Sequence, residues 1–265
     1  MRHVLFALLM LQIAPLLAVE RVVSLAPSLS EIVLELHSAD LLVGVLDGGE
    51  RPAALAHLPS VGRYGQLEME TLLALQPDLL LLWPGSVSAA QRDQLETFGI
   101  ALLVLEPHSL DELAGQFVQL SEHLGRPEQG QRLHDRFVGR LAELRERYRR
   151  ERPMPVFYQV WDAPLYTIGG GQIISDALQV CGARNVFADL PLPAPQVGVE
   201  AVLQRDPAAI IAGDARQLQA WRQWPQLAAV QRGQLLMLPD NGLERPSFQM
   251  LEATARLCEL LAAAK

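Results

Sequence analysis

Two stretches of the chain repeat one arrangement. METLLALQPDLLLLW (residues 69–83) and VEAVLQRDPAAIIA (residues 199–212) each place a Glu seven residues before a Pro, with a short apolar helix between them and an apolar strand after. A helix that is closed by Pro and feeds directly into a buried strand is one arm of a β-α-β unit. Finding it twice, in the two halves of the chain, predicts a duplicated α/β lobe rather than one continuous sheet. Glu at the start of a helix and Pro at its end are also ordinary capping chemistry. The matched spacing and the matched following strand are what favour duplication.

The segments between the repeats agree. In the first half, RVVSLAP (21–27) reads as a buried strand running into a turn, after which Ser28 or Ser30 caps a helix. The run at 41–45, the helix from about 68 to 75, the strand at 79–83, a helix at 89–98 and the strand at 100–105 complete an alternating pattern. Two helical stretches follow, separated by Gly125, Arg126 and Pro127. The longer, from Pro127 to about Arg150, carries Leu133, Phe137, Leu141, Leu144 and Tyr148 at spacings of three and four, one apolar stripe opposite a charged face. Strands at 155–160, 209–212 and 234–238 and helices at 173–180 and 247–263 rebuild the alternation. The expected organisation is a signal segment (1–18), an N-terminal lobe (19–125), a bridging helix (126–152) and a C-terminal lobe (153–265), both lobes α/β with mainly parallel sheets.

Composition narrows the partners. A net charge of −8 disfavours nucleic acid, which needs clustered Lys and Arg. The one basic run, RERYRRER (145–152), is interleaved with Glu and reads as a solvated helix face. The opening MRHVLFALLMLQIAPLLA has the basic start, short apolar stretch and small final residue of a secretory signal, with cleavage expected after Ala18. The apolar stretch is shorter than the ~20 residues that span a bilayer. Export makes Cys181 and Cys258 an even pair in an oxidising compartment, which points to a disulfide. Neither Cys has a His or second Cys at metal-ligand spacing, and His37, His57, His108, His123 and His134 form no ligand cluster.

Enzyme signatures are missing. There is no GxSxG elbow, HExxH helix or Cys nucleophile with a nearby His, and the glycines at 169–171 lack the Lys-Ser/Thr ending of a phosphate loop. An exported hydrolase would have to use a cleft carboxylate pair such as Glu31 and Glu70.

The ordered series RVVSLAPSLSE, LLVGV, LPSVGRYG, ETLLALQPDLLL, long helix, GGQIISDALQVCGARNVF resembles the periplasmic substrate-binding proteins of metal-chelate importers, and within them the cobalamin binders. The resemblance covers nearly the whole mature chain. It implies the class III binding-protein fold, two lobes bridged by a rigid helix, and a non-enzymatic periplasmic monomer without a cofactor of its own. It implies a corrinoid held between the lobes and handed to an inner-membrane ABC permease with its ATPase subunits. By the same correspondence Glu70 and Glu200 are the docking carboxylates, and Pro27, Tyr64, Trp83, Trp161, Tyr166, Asn241 and Arg245 are ligand contacts. Asn241 stands where the cobalamin binders have Asp, and small residues occupy 47–50, Ala194 and Gly242 where they carry aromatics. Haem or an iron siderophore is the alternative ligand. Related haem binders place an iron-ligating Tyr seven residues before the Glu, where this chain has Arg63, with Tyr64 one position on.

Overall fold

The structure is a computed structural model in which residues 19–49 and 51–264 are described; the expected signal segment lies outside them. The first lobe begins with β1 (Val22–Ser24), α1 (Pro27–Glu35), β2 (Leu42–Asp47), β3 (Ser60–Arg63) and β4 (Gln66–Leu67). It continues through α2 (Met69–Ala74), β5 (Leu79–Leu82), α3 (Ala89–Thr97) and β6 (Ala101–Val104). Helices α4 (Leu110–His123) and α5 (Pro127–Arg147) lead out of it. The second lobe contains β7 (Met154–Asp162), β8 (Leu165–Thr167), α6 (Ile173–Val180), β9 (Ala183–Asn185), α7 (Val199–Arg205) and β10 (Ala209–Ala212). Helices α8 (Ala215–Ala220) and α9 (Ala228–Gln231), strand β11 (Leu235–Met237) and α10 (Gln249–Ala263) complete it.

Each lobe has its own sheet. The first runs β4-β3-β2-β1-β5-β6, parallel except for the β3–β4 pair. The second runs β11-β10-β7-β8, with β9 parallel to the start of β7 and β8 antiparallel to its end. These are the two expected α/β lobes with mostly parallel sheets.

The repeated motif proves structural. In α2 and α7 the Glu is the second helical residue, and the helix ends just before a residue of left-handed backbone, Gln76 at φ 47° and Asp206 at φ 41°. A Pro follows each, Pro77 and Pro207, and then a strand that runs beside the first strand of its lobe. Pro disfavours helical backbone in its predecessor, so the chain leaves each helix at the same point.

One expectation fails locally. Neither Ser28 nor Ser30 caps α1: the cap position is Ala26, no side chain accepts there, and Pro27 is the first helical residue. Pro supplies a helical φ and lacks the N–H that would need a cap, so both serines fall inside the helix and are buried. The long helix also ends at Arg147, with Tyr148 as its C-cap, short of Arg150, and the last helix opens at Gln249 rather than Ser247.

The outer face of each sheet has a separate apolar cluster, one around Leu80, Leu82 and Leu95 and the other around Phe157, Phe187 and Trp221. The inner faces share one. Leu29 and Ile32 of α1, Phe117 of α4, Phe137 and Leu141 of α5, Ile174 of α6 and Leu257 of α10 belong to a single buried cluster that spans both lobes. The stripe read from the sequence of α5 is its contribution: Leu133, Phe137, Leu141 and Leu144 are buried.

Cys181, the C-cap of α6, is bonded to Cys258 of α10 across 77 residues, as expected of an exported pair. A closed loop of that length stabilises the fold by about 4 kcal/mol through the entropy of the unfolded chain. Replacing both cysteines with Ser is therefore expected to lower the unfolding free energy by roughly that amount. Urea titrations of the oxidised and substituted proteins check it, and equal midpoints would contradict it.

Candidate functional site

In an open α/β sheet the loops after the strands diverge where strand order reverses about a central strand, and ligands collect there. In the first lobe that strand is β1, flanked by β2 and β5. A cleft of about 780 Å³ opens at this point. Its first-lobe wall comes from the ends of β1 (Leu25 to Ser28), β2 (Leu46 to Gly49), β3 (Tyr64) and β5 (Trp83, Pro84, Ser86). Its second-lobe wall comes from the segment after β11: Asp240 to Gly242, Glu244 to Pro246 and Gln249, with Arg256 from α10.

Pro27, Tyr64, Trp83, Asn241 and Arg245 are thus brought together from both lobes. Tyr64 is 74% exposed, whereas Trp83 is half-buried against the shared core. Gly48 stands so close to Pro27 that a Cβ there would come within 2.6 Å of its ring, so this wall stays thin unless Pro27 moves. Trp161 and Tyr166 lie elsewhere. They pair across the β7–β8 hairpin, off the cleft wall, and Trp161 is 56% exposed with its indole N–H donating to the Ala163 carbonyl. The hairpin is joined instead to the segment leading into α7, through Tyr166–Gln196 pairing and Val197 N–H donating to Leu165 O.

Glu70 and Glu200 are both exposed, each in the first turn of its helix, and neither forms an ion pair among the described residues. Glu70 is not on the cleft wall, and Glu31 is buried, so no carboxylate pair of the kind a hydrolase needs is assembled from them. No group of three or more His, Cys, Asp or Glu suited to a metal ion occurs among the described residues.

The charges of the cleft are mostly spent on one another. Asp240 pairs with Arg256 at 2.7 Å, and Asp47 is held below the usual carboxylate range by Ser60 and Arg51. Arg245 pairs with Glu31, which α1 presents from the opposite lobe and which also accepts from the Ser247 hydroxyl at 2.9 Å. Burial pushes the Glu31 carboxyl up; Ser247 and Arg245 offset part of that. Glu244 is exposed on the cleft wall and is left without a cationic partner among the described residues.

With this geometry in hand, the comparisons with known proteins are specific. A family model described as periplasmic binding protein matches residues 22–241. A vitamin B12-binding protein of Vibrio cholerae is 33% identical over 245 residues, covering 91% of this chain and 89% of that protein. Another, from Yersinia pestis, is 32% identical over 251 residues, with 94% and 88% covered. Among solved structures, the periplasmic vitamin B12 binding protein BtuF of Vibrio cholerae superposes with a TM-score of 0.83 at 32% identity, over 93% of this chain and 98% of that one. The periplasmic heme binding protein HutB of the same organism reaches 0.79 at 20% identity over 91% and 98%, a likeness of fold.

Sequence reasoning overlooked what lies under the cleft. Glu35, one turn beyond Glu31 on α1, accepts the Phe248 N–H at 2.9 Å. The Phe248 ring sits against Phe137 at 5.8 Å and Phe117 at 6.3 Å between centroids, with the Arg136 guanidinium 4.4 Å over its face. Only the helical spacing of two carboxylates on an apolar face hinted at this junction. Burial, and then the charge of Glu31, push Glu35 up from its ordinary 4.5 to about 7, against the pull of the Phe248 and Gln249 N–H groups and Arg136.

A carboxyl raised in this way binds its proton more tightly folded than unfolded. Its contribution is full below the ordinary value and is lost as pH rises through about 7. The chain is expected to lose up to about 3 kcal/mol of stability from Glu35 across that window, a slope that Glu35→Gln flattens. Urea midpoints at pH 5 and pH 8 for both proteins test the sign; a wild-type midpoint that rises with pH in parallel with the variant's would refute it.

Proposed function

The chain belongs to the periplasmic binding protein family, a family of binding proteins rather than enzymes, and from that membership we propose that it captures cobalamin or a related corrinoid in the cleft between its lobes. It delivers this ligand to the permease of an ATP-driven importer. The observation that carries the reading is the composition of the cleft wall, set beside the 33% identity to vitamin B12-binding proteins over most of the chain.

A corrin presents broad apolar faces edged by neutral amide arms. Trp83, Tyr64, Pro27 and Pro84 supply apolar surface, and Asn241 supplies an amide partner. The first turn of α1 adds a donor. No side chain caps it, so the N–H of Ser28, a residue of the cleft wall, has no intrahelical acceptor.

Haem, the second reading, is favoured by one feature, the phenol of Tyr64 standing open in the cleft. The charges argue against it. Haem carries two carboxylates, and both cleft arginines are already held by Glu31 and Asp240 while Glu244 adds a negative charge unpaired among the described residues. Putting anions there costs more than putting amides there. A neutral, amide-rich chelate fits this balance.

Glu70 and Glu200 serve as the handles on the permease. They occupy the same position of equivalent helices in the two lobes, exposed and unpaired among the described residues, and two fixed carboxylates set orientation on a two-fold partner through charge-assisted bonds. The protein works as a monomer in the periplasm after its signal is removed.

Calorimetric titration of the mature protein with cyanocobalamin is expected to give one-to-one binding at micromolar Kd or tighter, with haemin inert. Trp83→Ala should weaken that Kd about tenfold, since losing a stacked aromatic wall costs on the order of 1–2 kcal/mol. Saturable haemin binding without a cobalamin isotherm would replace the corrinoid reading with the haem one. Glu70→Ala combined with Glu200→Ala should leave the Kd within twofold. The same variant should slow delivery to permease in proteoliposomes at least tenfold, and unimpaired delivery would remove these residues from the docking role.

A further inference from the structure

Helix α1 carries two charged contacts between the lobes, beside a third at which the Leu110 N–H donates to Asp176 of α6 at 2.8 Å. From α1 in the first lobe, Glu31 meets Arg245 and Ser247 and Glu35 meets the backbone of Phe248, all in the second-lobe segment between β11 and α10. Glu31 is 3% exposed, a carboxylate that nothing but paired charge and hydrogen bonds would keep inside. Its Arg partner, however, is a cleft residue.

Regular secondary structure does not place Arg245. It follows the short helical turn Gly242–Glu244, precedes Pro246, and has a backbone at φ −122° and ψ 85°, neither helix nor strand. Its guanidinium forms an ion pair with the carboxylate of Glu31. That carboxylate belongs to the other lobe, on the helix whose first residues, Pro27 and Ser28, line the opposite wall of the same cleft.

We propose that Glu31 is the positioning residue for Arg245, and that their ion pair couples occupancy of the cleft to the spacing of the two lobes. With the lobes together, Glu31 holds the guanidinium at the cleft wall, where it donates to the arms of the ligand. Spreading the lobes pulls Glu31 and Arg245 apart, so the ligand loses an oriented donor in the same movement that widens its site. The facing groups are few: Arg245 and the Ser247 hydroxyl toward Glu31, and Glu35, with Arg136 behind it, from one turn along α1. The ligand half of this inference rests on the corrinoid reading; the lobe half does not.

The test is a double-mutant cycle read by cyanocobalamin titration on the intact mature protein: wild type, Glu31→Gln, Arg245→Met and the double variant. Glu31→Gln is expected to raise Kd about tenfold in the wild-type background and to change it less than twofold beside Arg245→Met. A merely structural Glu31 would weaken binding by the same factor in both backgrounds, and that result overturns the positioning role. Glu31→Asp, which keeps the charge on a shorter arm, takes its place should Glu31→Gln not fold, with an intermediate Kd expected. Hydrogen exchange of the ligand-free proteins tests the lobe half. Amides of residues 247–250 should exchange at least tenfold faster in Glu31→Gln while those of β5 are unchanged. Wild-type exchange at 247–250 overturns the coupling. If the wild type gives no heat with cyanocobalamin, the corrinoid reading and the ligand half fail together, and the exchange result decides the lobe half alone.

Discussion

Everything about this molecule depends on how residues 245–248 lie against helices α1, α4 and α5. The ring of Phe248 packs on Phe117 and Phe137, themselves in edge contact at 5.3 Å, and its N–H reaches Glu35. Immediately beside it, Arg245 and Ser247 satisfy the buried Glu31. An apolar anchor of this kind holds two bodies together, and a buried charge pair decides how they are aligned. The shared inner cluster supplies the first and α1 supplies the second. The cleft lies directly above, so its width is inherited from this junction rather than from either sheet.

Much of the fold was legible because it is written in periodic apolar runs. The strands at β5 and β10, the stripe on α5, the helix α6 and the Glu-to-Pro repeats are local patterns, and each folds as its pattern directs. The strands β3 and β4 left no such trace. They are short, with β4 at the sheet edge, and their close approach depends on Gly62 at φ 111°, where a Cβ would come within 2.2 Å of the Gln66 carbonyl. Helices α8 and α9 are six and four residues long, too short to show a period.

The site was legible in part for a related reason. Residues that end strands of the first sheet, such as Tyr64 and Trp83, can be placed once the strands are known, because strand ends converge at the reversal of strand order. Trp161 and Tyr166 also sit at the end of a strand, yet the antiparallel turn through Pro164 carries them onto a hairpin beside the approach to α7. Glu31 was visible as a carboxylate on an apolar helix face. Its partner Ser247 is 216 residues away, and no local rule links such positions.

The duplicated Glu–helix–Pro–strand unit suggests a chain that arose by joining two copies of a smaller one. The single inner cluster means that the joining cannot be reversed by cutting at the long helix. A severed first lobe would expose Phe117 and the apolar side of α1, and a severed second lobe would leave Phe248 without its seat. Symmetry of descent has been traded for mutual dependence: the halves remain recognisable as repeats, but neither is any longer a unit that could exist by itself.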